Sequence, residues 1–206
     1  MSQLALPLLL ADHAVFESFH AHGNETLVAT LQSLSSGDAG EGCWFFGPPT
    51  TGKTHLLQAV CDKAGDRAVY LPFAMLASMG PGVLEGFADR ALVCIDDIER
   101  VAGDADWEVA LFNLFNELYE NGGQLVIAAG TTPRECGFEL ADLASRMSRL
   151  PVFQLRALDD EQRAAALQLR ADHRGLELPD DTTAYLLKRS RRDLSLIHIS
   201  EPTRRR

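Results

Sequence analysis

Eight consecutive residues constrain this chain more than any others: Gly47-Pro48-Pro49-Thr50-Thr51-Gly52-Lys53-Thr54. Two glycines separated by four residues, then Lys and Thr, match the P-loop pattern. Glycine at both ends lets the backbone bend into a nest whose N–H groups converge on an anion. Lys53 can reach the outer phosphates of a bound chain, and the Thr54 hydroxyl is placed to ligate a magnesium ion. The following helix directs its positive end at the same anion, and His55, the next residue, joins the candidate contacts. Cys43-Trp44-Phe45-Phe46 before the motif is apolar and β-prone, and His55 to Val60 after it has helical character. Strand, loop and helix are the context the motif needs, and a chance glycine-rich turn would lack both flanks. The stretch implies a bound ADP or ATP with Mg2+.

A second acidic element fits the first. Ala91-Leu92-Val93-Cys94-Ile95 is fully apolar, as a central parallel strand should be, and ends in Asp96-Asp97. Downstream of a P-loop this is a Walker B pattern. Asp96 would hold the magnesium through water, and Asp97 would orient an attacking water near the γ-phosphate. The bland alternative is a solvated acidic turn.

The rest of the chain alternates strands and helices. Expected helices run over Asn24–Ser35, over Asp106–Asn121 with Val109, Phe112, Phe115 and Leu118-Tyr119 as its apolar stripe, and over Glu139–Arg149. Further strands are expected at Ala68–Leu71, Gln124–Gly130 and Val152–Leu155, and a broken helix over Pro72–Phe87. Thr131-Thr132-Pro133 follows one strand, where a hydroxyl could sense the γ-phosphate or simply cap a turn. From Leu158 the pattern becomes all-helical, with helices over Asp159–Arg174 and Pro179–Ser190 and a third starting at Arg191. Strands alternating with helices call for a parallel sheet covered on both faces.

A length of 206 residues suits one α/β domain with a small appendage. A net charge of −10 argues against broad electrostatic binding to nucleic acid. Cys43, Cys61, Cys94 and Cys136 have no metal-ligand spacing and suit buried thiols in a reducing cytoplasm. No apolar run approaches the length of a membrane span. Near the start, Gln3-Leu4-Ala5-Leu6-Pro7-Leu8 is extended by its proline. Its leucines either tuck onto the domain's own core or fill a partner's groove.

The P-loop, Asp96-Asp97 and Phe115-Asn116-Glu117-Leu118-Tyr119-Glu120-Asn121-Gly122 together resemble the AAA+ domain of the DnaA-related family, over about Phe16 to Leu194. The resemblance implies a central parallel β-sheet flanked by helices, plus a small C-terminal all-helical lid that stops short. Ser145-Arg146 falls at the family's Ser-Arg box, which makes Arg146 an arginine finger acting in trans. Trp-Gly commonly follows that box, whereas Met147-Ser148-Arg149-Leu150-Pro151 follows here, so the choice between Arg146 and Arg149 stays open. Arg192 matches the lid's sensor arginine, and Thr131 or Thr132 takes the first sensor position, where the family often has Asp.

The resemblance implies a family member that lacks the long N-terminal oligomerisation region of initiators. Its hexapeptide resembles the clamp-binding motif of the family's regulatory inactivators, with Gln3, Leu4, Leu6 and Leu8 docking on the sliding clamp (β subunit) of DNA polymerase III. The resemblance thus implies a cytoplasmic adaptor that stimulates ATP hydrolysis by DnaA. It allows a homodimer and gives no direct specific contact with DNA or membrane. The alternative is an autonomous ATPase of initiator or helicase-loader type. The expected division is a clamp-binding tail over 1–12, the nucleotide-binding core over 13–157, a partial lid over 158–194 and a non-native tail over 195–206. That last string contains Pro202 and loses the leucine periodicity, and it resembles a translated sequencing adapter.

Overall fold

Side-chain alternation along five short strands decides how this chain layers. The computed structural model describes residues 14–189. Gln3, Leu4, Leu6, Leu8, Arg192 and the string from Ser195 onward lie outside the described residues.

Strands β1 (Gly42–Phe46), β2 (Ala68–Pro72), β3 (Leu92–Asp96), β4 (Gln124–Ala129) and β5 (Val152–Gln154) pair in parallel in the order β2-β3-β4-β1-β5. Helices α1 (Glu25–Ser36), α2 (Lys53–Ala64), α3 (Phe73–Leu76), α4 (Ala105–Glu120) and α5 (Ala141–Met147) join and cover them. Helices α6 (Asp160–His173) and α7 (Asp180–Arg189) form the lid. The AAA+ α/β architecture is the expected one.

Successive strand residues face opposite sides. Trp44, Val93, Ile95, Leu125 and Ile127 pack with Phe73, Trp107, Leu111, Leu143 and Met147 on one side of the sheet. Cys43, Phe45, Cys94, Val126 and Ala128 pack with Leu31, Leu56, Leu57 and Val60 on the other. Each large side chain buried in these layers contributes on the order of 2 kcal/mol. All four cysteines are free and buried, and burial pushes the Cys43 thiol up to about 12.

Helix α4 corrects one expected stripe. Asp104 caps it by accepting from the N–H groups of Asp106 and Trp107, and the buried face is Trp107, Leu111, Leu114, Phe115 and Leu118. Val109 and Tyr119 are instead 51% and 53% exposed. Val109 lies two residues beyond Trp107, about 200° around the helix, so it points away from the sheet. The broken helix expected over Pro72–Phe87 is α3 followed by 3-10 turns at Ala77–Met79 and Pro81–Leu84.

Helix α5 begins two residues later than expected because a buried carboxylate claims the preceding amides. Glu108, 1% exposed, accepts from Glu139 N (3.0 Å), Leu140 N (2.6 Å) and Gly103 N (2.7 Å). It thereby ties the start of α4 to the start of α5. Removing it leaves three partly buried amide donors without their acceptor, each costing about 1 kcal/mol or more. Glu108→Ala should therefore lower unfolding free energy by about 3 kcal/mol or more in urea titrations, with Glu108→Gln losing less.

Candidate functional site

The P-loop turns between the end of β1 and the start of α2. Gly47 N donates to Ala129 O at 3.3 Å, which anchors the loop to β4. A Cβ at Gly47 would lie 2.7 Å from Leu155 O, and one at Gly52 would lie 2.9 Å from the Phe19 ring. Gly52 also has φ +98, and Thr50 takes φ 67, a conformation that costs a non-glycine residue about 1 kcal/mol. Such local strain is typical of ligand-clamping turns. Pro48, Pro49 and Thr50 form the exposed crest, and Thr51 Oγ1 donates to Pro48 O at 2.9 Å. Lys53 Nζ bends back over the loop to Gly47 O (2.8 Å) and Pro48 O (3.0 Å). Backbone amides, an ammonium and a helix N-terminus thus converge where a phosphate chain would lie.

The sheet order brings the acidic turn beside this loop. β4 runs between β1 and β3, so Gly47, Gly130-Thr131 and Asp96-Asp97 emerge side by side. Thr54 Oγ1 donates to Asp96 Oδ2 at 2.7 Å, and the Tyr70 phenol donates to the same oxygen at 2.9 Å. Asp96 is 3% exposed, and its Oδ1 is buried with no hydrogen-bond partner. Burial raises the Asp96 pKa, opposed by the hydrogen bonds from Thr54 and Tyr70. Burial and the neighbouring Asp96 carboxylate hold the Tyr70 phenol well above its usual range, so it stays a donor.

Among the described residues no cluster of three His, Cys, Asp or Glu side chains could hold a metal alone. A cation here would take its other ligands from phosphate oxygens and water, which is magnesium's habit. The orphaned Oδ1 and the Thr54 hydroxyl fit that ion. Held beside Thr54 and Asp96, it would offset the negative charge of the phosphates.

Asp97 follows in a left-handed turn, φ 56, with its N–H on Ala128 O at 3.1 Å. Thr131 lends its carbonyl to the buried Trp44 indole at 2.9 Å, while the Thr132 hydroxyl donates to Glu135 at 2.8 Å. Glu99 accepts from Gly130 N at 2.9 Å and so joins the acidic turn to the β4 exit.

His55 sits in the first turn of α2, but its ring faces sideways. Nε2 lies 2.9 Å from Val15 O, and Nδ1 lies 3.3 Å from an Arg170 nitrogen on α6. The P-loop helix, the N-terminal turn and the lid meet there. Burial first, and the Arg170 charge second, lower the His55 pKa to about 4.

Arg146 lies elsewhere. With Arg149, Glu41, Phe115 and Tyr119 it lines a cleft of about 40 Å³. Glu41 precedes β1, whereas the P-loop follows it, so Arg146 stands at the opposite edge of the sheet from its own P-loop. Five strand residues, about 15 Å, separate the two edges.

Sequence reasoning did not single out Tyr70, Glu99, Glu108 or Arg170. No local pattern marks a partner distant in the chain, so none of the four stands out from its neighbours in the sequence.

Fold and site together define a P-loop nucleotide-binding protein of the AAA+ class. The chain belongs to the ATPase family associated with various cellular activities (AAA), whose model matches residues 43–155. Residues 160–199 match a second model, described as Hda, lid domain, which makes this a Hda/DnaA-related AAA+ protein. Domain III of the Thermotoga maritima replication initiation protein DnaA superposes with a TM-score of 0.75 at 24% identity, covering 90% of this chain and 84% of that one. AMPPCP-bound DnaA from Aquifex aeolicus gives 0.69 at 23% identity, over 88% and 62%. A replication initiator DnaA bound to AMPPCP and single-stranded DNA gives 0.66 at 24%, over 87% and 61%. This chain therefore spans less than two thirds of the length of those two AMPPCP-bound proteins. At these identities the likeness shows the fold.

Two outcomes follow from the geometry. Lys53→Ala should weaken ADP and ATP binding by at least about tenfold in calorimetric titration, the scale of one charge-assisted hydrogen bond, with little change in the melting temperature of the nucleotide-free protein. His55 gives a pH dependence. Its ordinary value is 6.5 and its folded value about 4, so the unfolded chain takes up the proton first as pH falls. The stability from neutral His55 is complete above about pH 6.5 and is lost as pH drops towards 4, on the order of 3 kcal/mol. Urea titrations across that window should show a shallower decline for His55→Gln.

Proposed function

We propose that this protein is an adaptor in the regulatory inactivation of the replication initiator. Nucleotide-bound and held on the sliding clamp through Gln3, Leu4, Leu6 and Leu8, it offers Arg146 to the ATP site of DnaA. The observation that carries the reading is the position of Arg146: half-buried in a cleft at the end of the strands opposite the P-loop, it cannot reach its own P-loop. Arg149, in the same cleft, is the second candidate for the finger. A guanidinium supplied in trans neutralises charge developing on the transferred phosphoryl group, which is worth about 10³-fold or more.

In this reading the chain's own P-loop holds ADP or ATP with Mg2+, contacted by Thr54 and Asp96. Arg192 and Thr131 complete the cradle. The nucleotide then serves mainly to lock core and lid in the pose that presents Arg146. Partners are proteins, including a second copy of the chain, and the acidic balance of −10 disfavours direct DNA contact. The cytoplasm, where initiator and clamp work, is the compartment.

A second reading, an autonomous ATPase, draws on the complete Thr54–Asp96 pair and on Asp97 at the γ-phosphate end of the loop. One assay separates them. Phosphate release is followed with DnaA, ATP and DNA-loaded clamp present. The adaptor reading expects clamp-dependent stimulation that falls by about 10³-fold in Arg146→Ala and is lost when Leu4 and Leu6 become Ala. Steady hydrolysis by this chain alone, indifferent to both changes, would sink it.

A further inference from the structure

Asp96 is the buried carboxylate of the site, yet both of its hydrogen-bond donors fall on one oxygen. Thr54 Oγ1 and the Tyr70 phenol both donate to Oδ2, at 2.7 and 2.9 Å, and Oδ1 has no partner. A carboxylate that is 3% exposed and leaves one oxygen unpaired carries a desolvation penalty that neither donor relieves. That penalty persists because two donors on one oxygen hold the carboxylate's rotation fixed.

Tyr70 comes from β2, the strand beside β3, in register with Cys94 two residues before Asp96. The parallel ladder therefore sets the reach of its phenol independently of the P-loop. Thr54 has a single hydroxyl proton and donates it to Asp96, so its oxygen lone pairs are left for a cation. With Tyr70 sharing Oδ2, Thr54 is not the only group that fixes Asp96, and its hydroxyl orientation is set in turn.

We infer that Tyr70 is a positioning residue for the divalent cation of this chain's own nucleotide site. It holds the Asp96 carboxylate so that Oδ1 faces the hydrated ion and the Thr54 lone pairs are free to ligate it. The inference rests on reading Asp96 as the metal-side carboxylate, and it is independent of whether Arg146 acts on a partner.

The test compares Tyr70→Phe with the unaltered protein, since Phe keeps the ring and its packing. The probe is ADP carrying a fluorescent methylanthraniloyl group, titrated with Mg2+ and again in EDTA. In the unaltered protein Mg2+ should tighten binding. In Tyr70→Phe that enhancement should fall by about tenfold, the scale of one hydrogen bond to a charged group, while affinity in EDTA stays within about twofold. Mn2+ affinity at saturating ADP, read by electron paramagnetic resonance, should fall by the same factor. In an Asp96→Asn background the Tyr70 change should add nothing, as expected for two groups acting as a unit. Equal losses with and without metal, or an unchanged Mg2+ enhancement, would make Tyr70 a packing residue and overturn the inference. Absence of any Mg2+ effect in the unaltered protein would overturn the reading of Asp96, and the inference with it.

Discussion

The hydrogen bond from Thr54 to Asp96 is the contact on which the site depends. It joins two motifs that lie 42 residues apart in sequence. It can form only because β4 is inserted between β1 and β3, which brings their C-terminal ends about 10 Å apart across one intervening strand. β4 takes both sides in hand: Gly47 N bonds to Ala129 O and Asp97 N to Ala128 O. Parallel pairing therefore does more than bury apolar residues. It aligns the P-loop, the turn at Gly130-Thr131 and the acidic turn at one end of the strands.

The opposite edge carries a different chemistry. Arg146 and Arg149 stand beside the half-exposed Tyr119, whose ring stacks on Phe115 with centroids 6.3 Å apart. The two edges are linked through α4 and α5, because Glu108 holds the amides that start α5 while Arg146 sits in its last turn.

Among the described residues the lid meets the core where α6 packs against the turn at Phe16–Ser18 and the P-loop helix. Arg170 meets His55 there, and within the core Asn24 accepts from Arg156 N at 2.8 Å where the chain leaves β5 for α6.

The alternation of five apolar strands with helices, the P-loop, the acidic strand end and the switch to an all-helical segment were all legible in the residues. Each is a local pattern: a glycine spacing, an apolar run, a period of two or of 3.6. Element existence followed, with ends shifted by one or two residues where caps intervened, as at Asp104 and Leu140. Tyr70 as the second donor to Asp96, Glu108 beneath α5, Arg170 against His55 and the outward turn of Val109 and Tyr119 were not legible. Each depends on which strand lies beside which, or on which helix face meets the sheet, and those are set by packing between segments far apart in the chain. The sequence by itself determined the fold class and the phosphate-binding chemistry, because glycine freedom and side-chain type act locally. Only the tertiary structure decided which oxygen of Asp96 is held, which is left bare and on which edge Arg146 stands, because strand order exists only once the sheet has formed.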